Sequence, residues 1–214
     1  MKTIKILSLA FIISVAPLFL TGCCWFDTCG CGDNFSQKYF KVNGWKAINV
    51  LIDSTTTNGY PYVRLDSLPE TASHPYNKVG INMEVKAEYY SLMPINSYSS
   101  LMACDPLPNG HQGSKEKISA IRITSNQDFD TEHPAGTDLA EIFLIKKMGF
   151  YNSWSDDVAI NLRTYSNGQP SPELAYTLWL TKPPISSKKH IFTITYEQTN
   201  GDKYIVTTRE LTFS

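Results

Sequence analysis

Four of the five cysteines fall in residues 23–31, as Cys23, Cys24, Cys29 and Cys31, and the fifth, Cys104, stands far downstream. Crowded thiols can be acylated, joined as disulfides, or used as thiolates for a soft metal. The run Cys24-x4-Cys29-x-Cys31 contains no Cys-x-x-Cys pair and no nearby histidine, so it is not a zinc-ribbon spacing. If Cys23 is spent on another modification, an even number remains, and in an oxidising compartment an even number reads as disulfides. A Cys29–Cys31 bridge would close a strained ring. The expectation is therefore at least one bridge from the cluster to Cys104, with Gly30 and Gly32 letting the backbone turn tightly. Three clustered thiolates on a metal, or free thiols, are the alternatives.

Other chemistry is sparse. The chain has no Gly-x-Ser-x-Gly elbow, His-Glu-x-x-His, P-loop or Gly-x-Gly-x-x-Gly. Its histidines, His74, His111, His133 and His190, never lie two to four residues apart, and His74 and His133 precede proline; they read as turn or loop residues. Asn126, Asp128 and Asp130 alternate like calcium ligands, but Thr131 and Thr137 stand where a calcium loop needs Gly and Glu, so a solvated acidic loop is expected. Asp156-Asp157 reads as a turn. The aromatic residues offer more. Tyr89 is expected to face a core and Tyr90 solvent, Trp45 and Trp179 to be core, and Trp154, among Asn152, Ser153 and Ser155, to be the ligand-contact candidate. No catalytic residue, metal ligand or cofactor is assigned.

The N-terminus is an address. Lys2 and Lys5 precede an uncharged apolar run, Ile6 to Leu20, too short for a bilayer span and interrupted by Pro17. Leu20-Thr21-Gly22-Cys23 then resembles a bacterial lipobox. That resemblance implies cleavage after residue 22, lipidation of Cys23 and acylation of the new amino terminus. Several acyl chains would hold the protein on a membrane. Cys24, in place of Asp, implies the outer membrane, with the periplasmic or surface side open. The chain divides into a signal peptide (1–22), a Cys-rich tether (23–36) and one domain (37–214).

The 214 residues carry a net charge of −1, with 42% hydrophobic and 18% charged residues, which excludes a disordered chain and gives no basic field for nucleic acid. Period-two alternation dominates the body: Val79 to Tyr89, Ile118 and Ala120 with either Ile121 or Ile123, Val158-Ile160-Leu162, and Tyr176-Leu178-Leu180. Weaker strands are expected at 46–51, 62–66, 99–104 and 143–147. Residues 191–196 and 204–208 flank Asn200-Gly201, a hairpin. One short helix is expected at 138–141, capped by Asp138 with Glu141 as box partner. Eight or nine strands with at most one or two short helices beyond the signal peptide predict an all-β, antiparallel β-sandwich. The stretch from Ser171 through Pro184 to the last hairpin resembles the end of an immunoglobulin-like domain. Residues 118–126 with Phe129 and Gly136-Thr137-Asp138-Leu139 resemble small lipoproteins of the Bacteroidota that have no assigned activity. The function expected is a non-enzymatic, membrane-anchored binding module for envelope protein or glycan. A fimbria-like structural subunit and an envelope hydrolase are the alternatives.

Overall fold

The computed structural model describes residues 37–57, 60–69, 72–91, 108–148 and 159–214, and Gln37–Tyr90 with Asn109–Ser214 form one compact unit. The five cysteines, Trp154, the tether and the strand expected at 99–104 lie outside the described residues.

Twelve strands are present among the described residues, more than the eight or nine expected. In chain order they are β1 (Tyr39–Thr57), β2 (Tyr60–Ser67), β3 (Ser73–His74), β4 (Val79–Tyr90), β5 (Ile118–Ser125), β6 (Phe143–Met148), β7 (Ile160–Asn161), β8 (Ala175–Leu180), β9 (Lys189–His190), β10 (Phe192–Gln198), β11 (Lys203–Thr207) and β12 (Leu211–Phe213). One short helix, α1, spans Leu162–Asn167. The strands form a six-stranded sheet, β2-β1-β4-β8-β6-β7, a three-stranded sheet, β11-β10-β5, and a small sheet, β3-β12-β9. All pairings are antiparallel except β3 with β12. The fold is an all-β sandwich.

The alternation in β4 becomes packing. Val79, Ile81 and Met83 are buried in one cluster, and Val85, Ala87 and Tyr89 pack against it. Phe192, Ile194 and Tyr196 of β10 enter the same cluster from the other sheet. Across the layers Trp45 packs on Tyr196 with ring centres 4.7 Å apart, and Phe143 meets Phe192 edge to face at 5.4 Å.

Two bulges explain where alternation alone is ambiguous. Val42 pairs with Ala87 and Trp45 with Val85, so Asn43 and Gly44 together oppose Lys86. That extra residue changes the parity of the strand and lets Phe40, Val42 and Trp45 all be buried. Gln198 pairs with Ile118 but Glu197 with Ala120, leaving Ser119 extra. Ile118, Ile121 and Ile123 are consequently all buried, which settles the choice between Ile121 and Ile123 in favour of both.

Three local expectations are corrected. Trp179, expected in the core, alternates away from the buried Tyr176, Leu178 and Leu180 and is only half-buried on the other face of β8. The alternation Val158-Ile160-Leu162 predicts a strand, but β7 stops at Asn161. The Asn161 side-chain oxygen accepts hydrogen bonds from the backbone N–H groups of Arg163 (3.0 Å) and Thr164 (3.3 Å), which starts α1. Leu162, Tyr165 and Ser166 then bury one helical face. The helix expected at 138–141 is a single 3-10 turn, Ala140–Ile142. Asp138 does accept from Ala140 N–H at 3.0 Å, but the Glu141 carboxylate lies near Arg163 (3.7 Å) and forms no capping box. In the β10–β11 hairpin the left-handed conformation falls on Gly201 alone (φ 91°), within the four-residue loop between Gln198 and Lys203.

Candidate functional site

The loop after β5 gathers the polar residues considered as calcium ligands, and the fold disperses their oxygens. Asn126 Oδ1 accepts from Ile191 N–H (2.8 Å) and Asp128 Oδ1 from Ala135 N–H (2.8 Å). Buried Asp130 accepts through Oδ1 from the backbone N–H groups of Glu132 and His133 and lies 2.6 Å from His133 Nδ1. Its Oδ2 is 2.8 Å from Lys182 Nζ. These donors, Lys182 foremost, hold the Asp130 carboxyl well below its usual range. Asp130, Glu132 and His133 are close enough to share an ion, but a cation at Asp130 would have to displace Lys182 and compete with the N–H donors. The arrangement ties the loop to the segment after β8. His133, expected as a bare turn residue, is this carboxylate's partner three residues on.

His190 is fully buried and stacks on Phe192 with ring centres 5.6 Å apart. Its Nε2 lies 2.8 Å from Ser187 O, so that nitrogen donates, and its Nδ1 accepts from Ser125 Oγ at 2.8 Å. Burial lowers the imidazole pKa and keeps the ring neutral. A serine and histidine in hydrogen-bond contact resemble half of a catalytic triad, but both are enclosed by the core and Ser125 Oγ also accepts from Gln127 N–H. Substrate has no approach to them. The pair closes the end of the sandwich where β9 and β12 meet.

An open surface with binding chemistry lies elsewhere. β1 and β4 pair Tyr39 with Tyr90 and Lys41 with Glu88. Phe40 and Tyr89 point to the core, so these four side chains share the outer face. The tyrosine rings stack at 5.8 Å, and Lys115 Nζ sits 4.9 Å from the centre of the Tyr39 ring. Asn43 donates to Glu88 Oε2 at 3.0 Å, which fixes that carboxylate. Desolvation, then the negative charge of Glu116, pushes the Tyr90 phenol up, so it remains a neutral donor. A cleft of about 480 Å³ opens here, lined by Lys41, Glu88, Tyr90, Lys115, Glu116 and Asn200 among others.

The 109–113 turn positions the Lys115 side of this cleft. Gly110 N–H donates to Gln37 O, Gln112 N–H to Lys38 O, and Phe40 N–H to Gly113 O, so the turn runs along the start of β1. Gly110 has φ 77°, and a Cβ there would meet Tyr89 at 2.9 Å and Phe40 at 3.1 Å. Only glycine satisfies both constraints. Of the cleft residues, sequence reading identifies Tyr90 as outward-facing. Glu88, two residues before Tyr90 on β4, shares its outward face by the same alternation, and Lys41 becomes visible once the β1–β4 register is known; Asn200 lies in the hairpin turn read from Asn200-Gly201, whereas Lys115 and Glu116 arrive from a turn that no periodicity marks. Comparison with known proteins adds no relative: no protein-family model matches the chain, no curated protein matches it, and no solved structure matches it.

Proposed function

We propose that this protein is a lipid-anchored outer-membrane module that binds glycan through the Tyr90 cleft. The anchor reading is supported by Leu20-Thr21-Gly22-Cys23, which resembles a lipobox. The binding reading rests on one observation: a stacked tyrosine pair sits beside an open cleft whose rim supplies two lysines, two carboxylates and an amide. Sugars present apolar C–H faces that stack on aromatic rings and hydroxyls that need both donors and acceptors, and this lining offers all three. The cleft volume falls within the range of small-ligand sites, which is about 300–1,000 Å³.

The test is a titration of the full chain against isolated envelope polysaccharides, with Tyr90→Ala, Lys115→Ala and Trp154→Ala beside the wild type. A contact aromatic contributes roughly 1–3 kcal/mol, so Tyr90→Ala should weaken binding about tenfold or more. Glycan binding that survives both Tyr90→Ala and Lys115→Ala in folded protein removes the cleft from the reading. If only Trp154→Ala abolishes it, the contact surface is the 152–156 segment. The anchor is tested separately, because Cys23→Ala should incorporate no labelled acyl chain.

A further inference from the structure

The three-stranded sheet ends on one side at β11, which pairs only with β10 among the described residues. Its hydrogen-bond phase is set by the two ends of the hairpin. Gln198 N–H donates to Asp202 O, and Thr208 N–H donates to Phe192 O. Between them alternation makes Tyr204 and Val206 the residues bonded to β10, so the N–H and C=O groups of Lys203, Ile205 and Thr207 point away from the sheet. No partner for these groups exists among the described residues. Ile205 stands 63% exposed in the middle of this edge, while Tyr204 and Val206 pack inward against the core. An unguarded edge with a central apolar side chain is a template for another strand.

The residue types identify that strand. We propose that β11 pairs antiparallel with β11 of a second copy, about a two-fold axis at Ile205. In that register Ile205 faces its own counterpart, and Lys203 of each copy faces Thr207 of the other. The three positions whose backbone points outward are then the three that meet, giving about six intermolecular hydrogen bonds and one continuous six-stranded sheet. No like charges are opposed. Lysine on an edge normally repels an incoming strand, but Lys203 Nζ is held 3.0 Å from Glu197 Oε1 on β10, which neutralises it and draws it back from the edge. A foreign strand would find only three free positions before the hairpin loop at one end and β12 at the other. A second β11 needs no more. The contact is short, so the dimer is weak and depends on protein concentration.

The proposal is tested on the full chain by sedimentation equilibrium in one detergent, comparing wild type, Ile205→Lys, Ile205→Glu and an equimolar mixture of the two variants. The wild type should dimerise with rising concentration. Each variant alone should raise the dissociation constant at least about tenfold, because it opposes like charges at the axis. The mixture should recover dimer through Lys–Glu pairing. Amide exchange of the wild type provides an independent readout, with protection at Ile205 and Thr207 growing with concentration. A wild type that stays monomeric, variants that dimerise as well as the wild type, or protection that ignores concentration would each overturn the assignment.

Discussion

β5 and β11 flank the same central strand, β10, yet their outer edges meet different fates. Along β5 four of the outward backbone groups have partners. Ile121 N–H donates to Ser166 Oγ of α1, Ile123 N–H to Asp138 Oδ1, and Ile123 O and Ser125 O accept from Leu139 and Gly136 N–H. Along β11 the corresponding groups of Lys203, Ile205 and Thr207 have no such partner among the described residues. Connectivity makes the difference. A long loop succeeds β5, and that loop and α1 both return to its edge. A four-residue hairpin loop leads into β11, and a short segment connects it to β12, so neither connection is long enough to fold back over the edge. Edge protection in this sandwich thus depends on the length and path of the connecting segments, more than on the residues within a strand.

The sharpest way to break this contrast uses one residue type on both strands. Ile123→Ala on β5 removes a fully buried side chain and should cost about 2–5 kcal/mol. Ile205→Ala on β11 should change the stability of the monomer by less than about 0.5 kcal/mol. Urea titrations of both variants give the comparison directly, and similar midpoints would refute it.

The next largest effect concerns the guard itself. Ser166→Ala deprives the buried Ile121 N–H of its acceptor and should cost about 1–3 kcal/mol. Thr207→Ala on the open edge should leave the unfolding midpoint of the monomer unchanged. Equal losses in the two variants would show that both edges are guarded.

Acid should weaken the β5 side first. His190, bonded to Ser125 at the end of β5, has a folded pKa lowered by burial from an ordinary 6.5. Below that value the unfolded chain binds the proton more readily than the native protein. Stability is therefore full above about pH 6.5 and declines as pH falls, by at most about 1.4 kcal/mol per pH unit for one proton. Asp130 adds a second decline below its ordinary 3.8, because its folded pKa is lowered too. Thermal midpoints measured from pH 8 to pH 3 should show both limbs. His190→Gln should lack the first and Asp130→Asn the second.

The smallest effect is on β11 itself. The exposed Lys203–Glu197 pair should contribute about 0–0.5 kcal/mol to monomer stability, and added salt should erase it. A double-mutant cycle at low and high salt measures this.

Sequence patterning exposed most of the sheet framework, because β10 buries strictly alternate residues and β4 and β8 do so apart from Gly80 and Thr177. It failed where a single residue changed the rule. Asn161 capped a helix in place of continuing a strand, and Ser119 and the Asn43-Gly44 pair shifted parity within strands. The pairing of β3 with β12 joins residues 73–74 to 212–213, a distance over which no local pattern speaks. The candidate site was less legible for the same reason. Tyr90 and Glu88 could be placed outward from their own strand, but Lys41, Lys115 with Glu116, and Asn200 come from three other segments. The Asp130–His133 contact was within reach, three residues apart, but only the fold shows that their loop turns them toward each other.

The length of β1 also has a mechanical meaning. The chain enters the sandwich at residue 37 and continues directly into β1, whose register with β4 runs antiparallel from Tyr39 to Leu51. A pull directed along that strand would act at right angles to the hydrogen bonds between β1 and β4. Those bonds would bear the load together in shear instead of opening one after another like a zip. With β2 fastened along the far half of the same strand, from Val50 to Thr57, the sandwich is braced where a tether would tug on it.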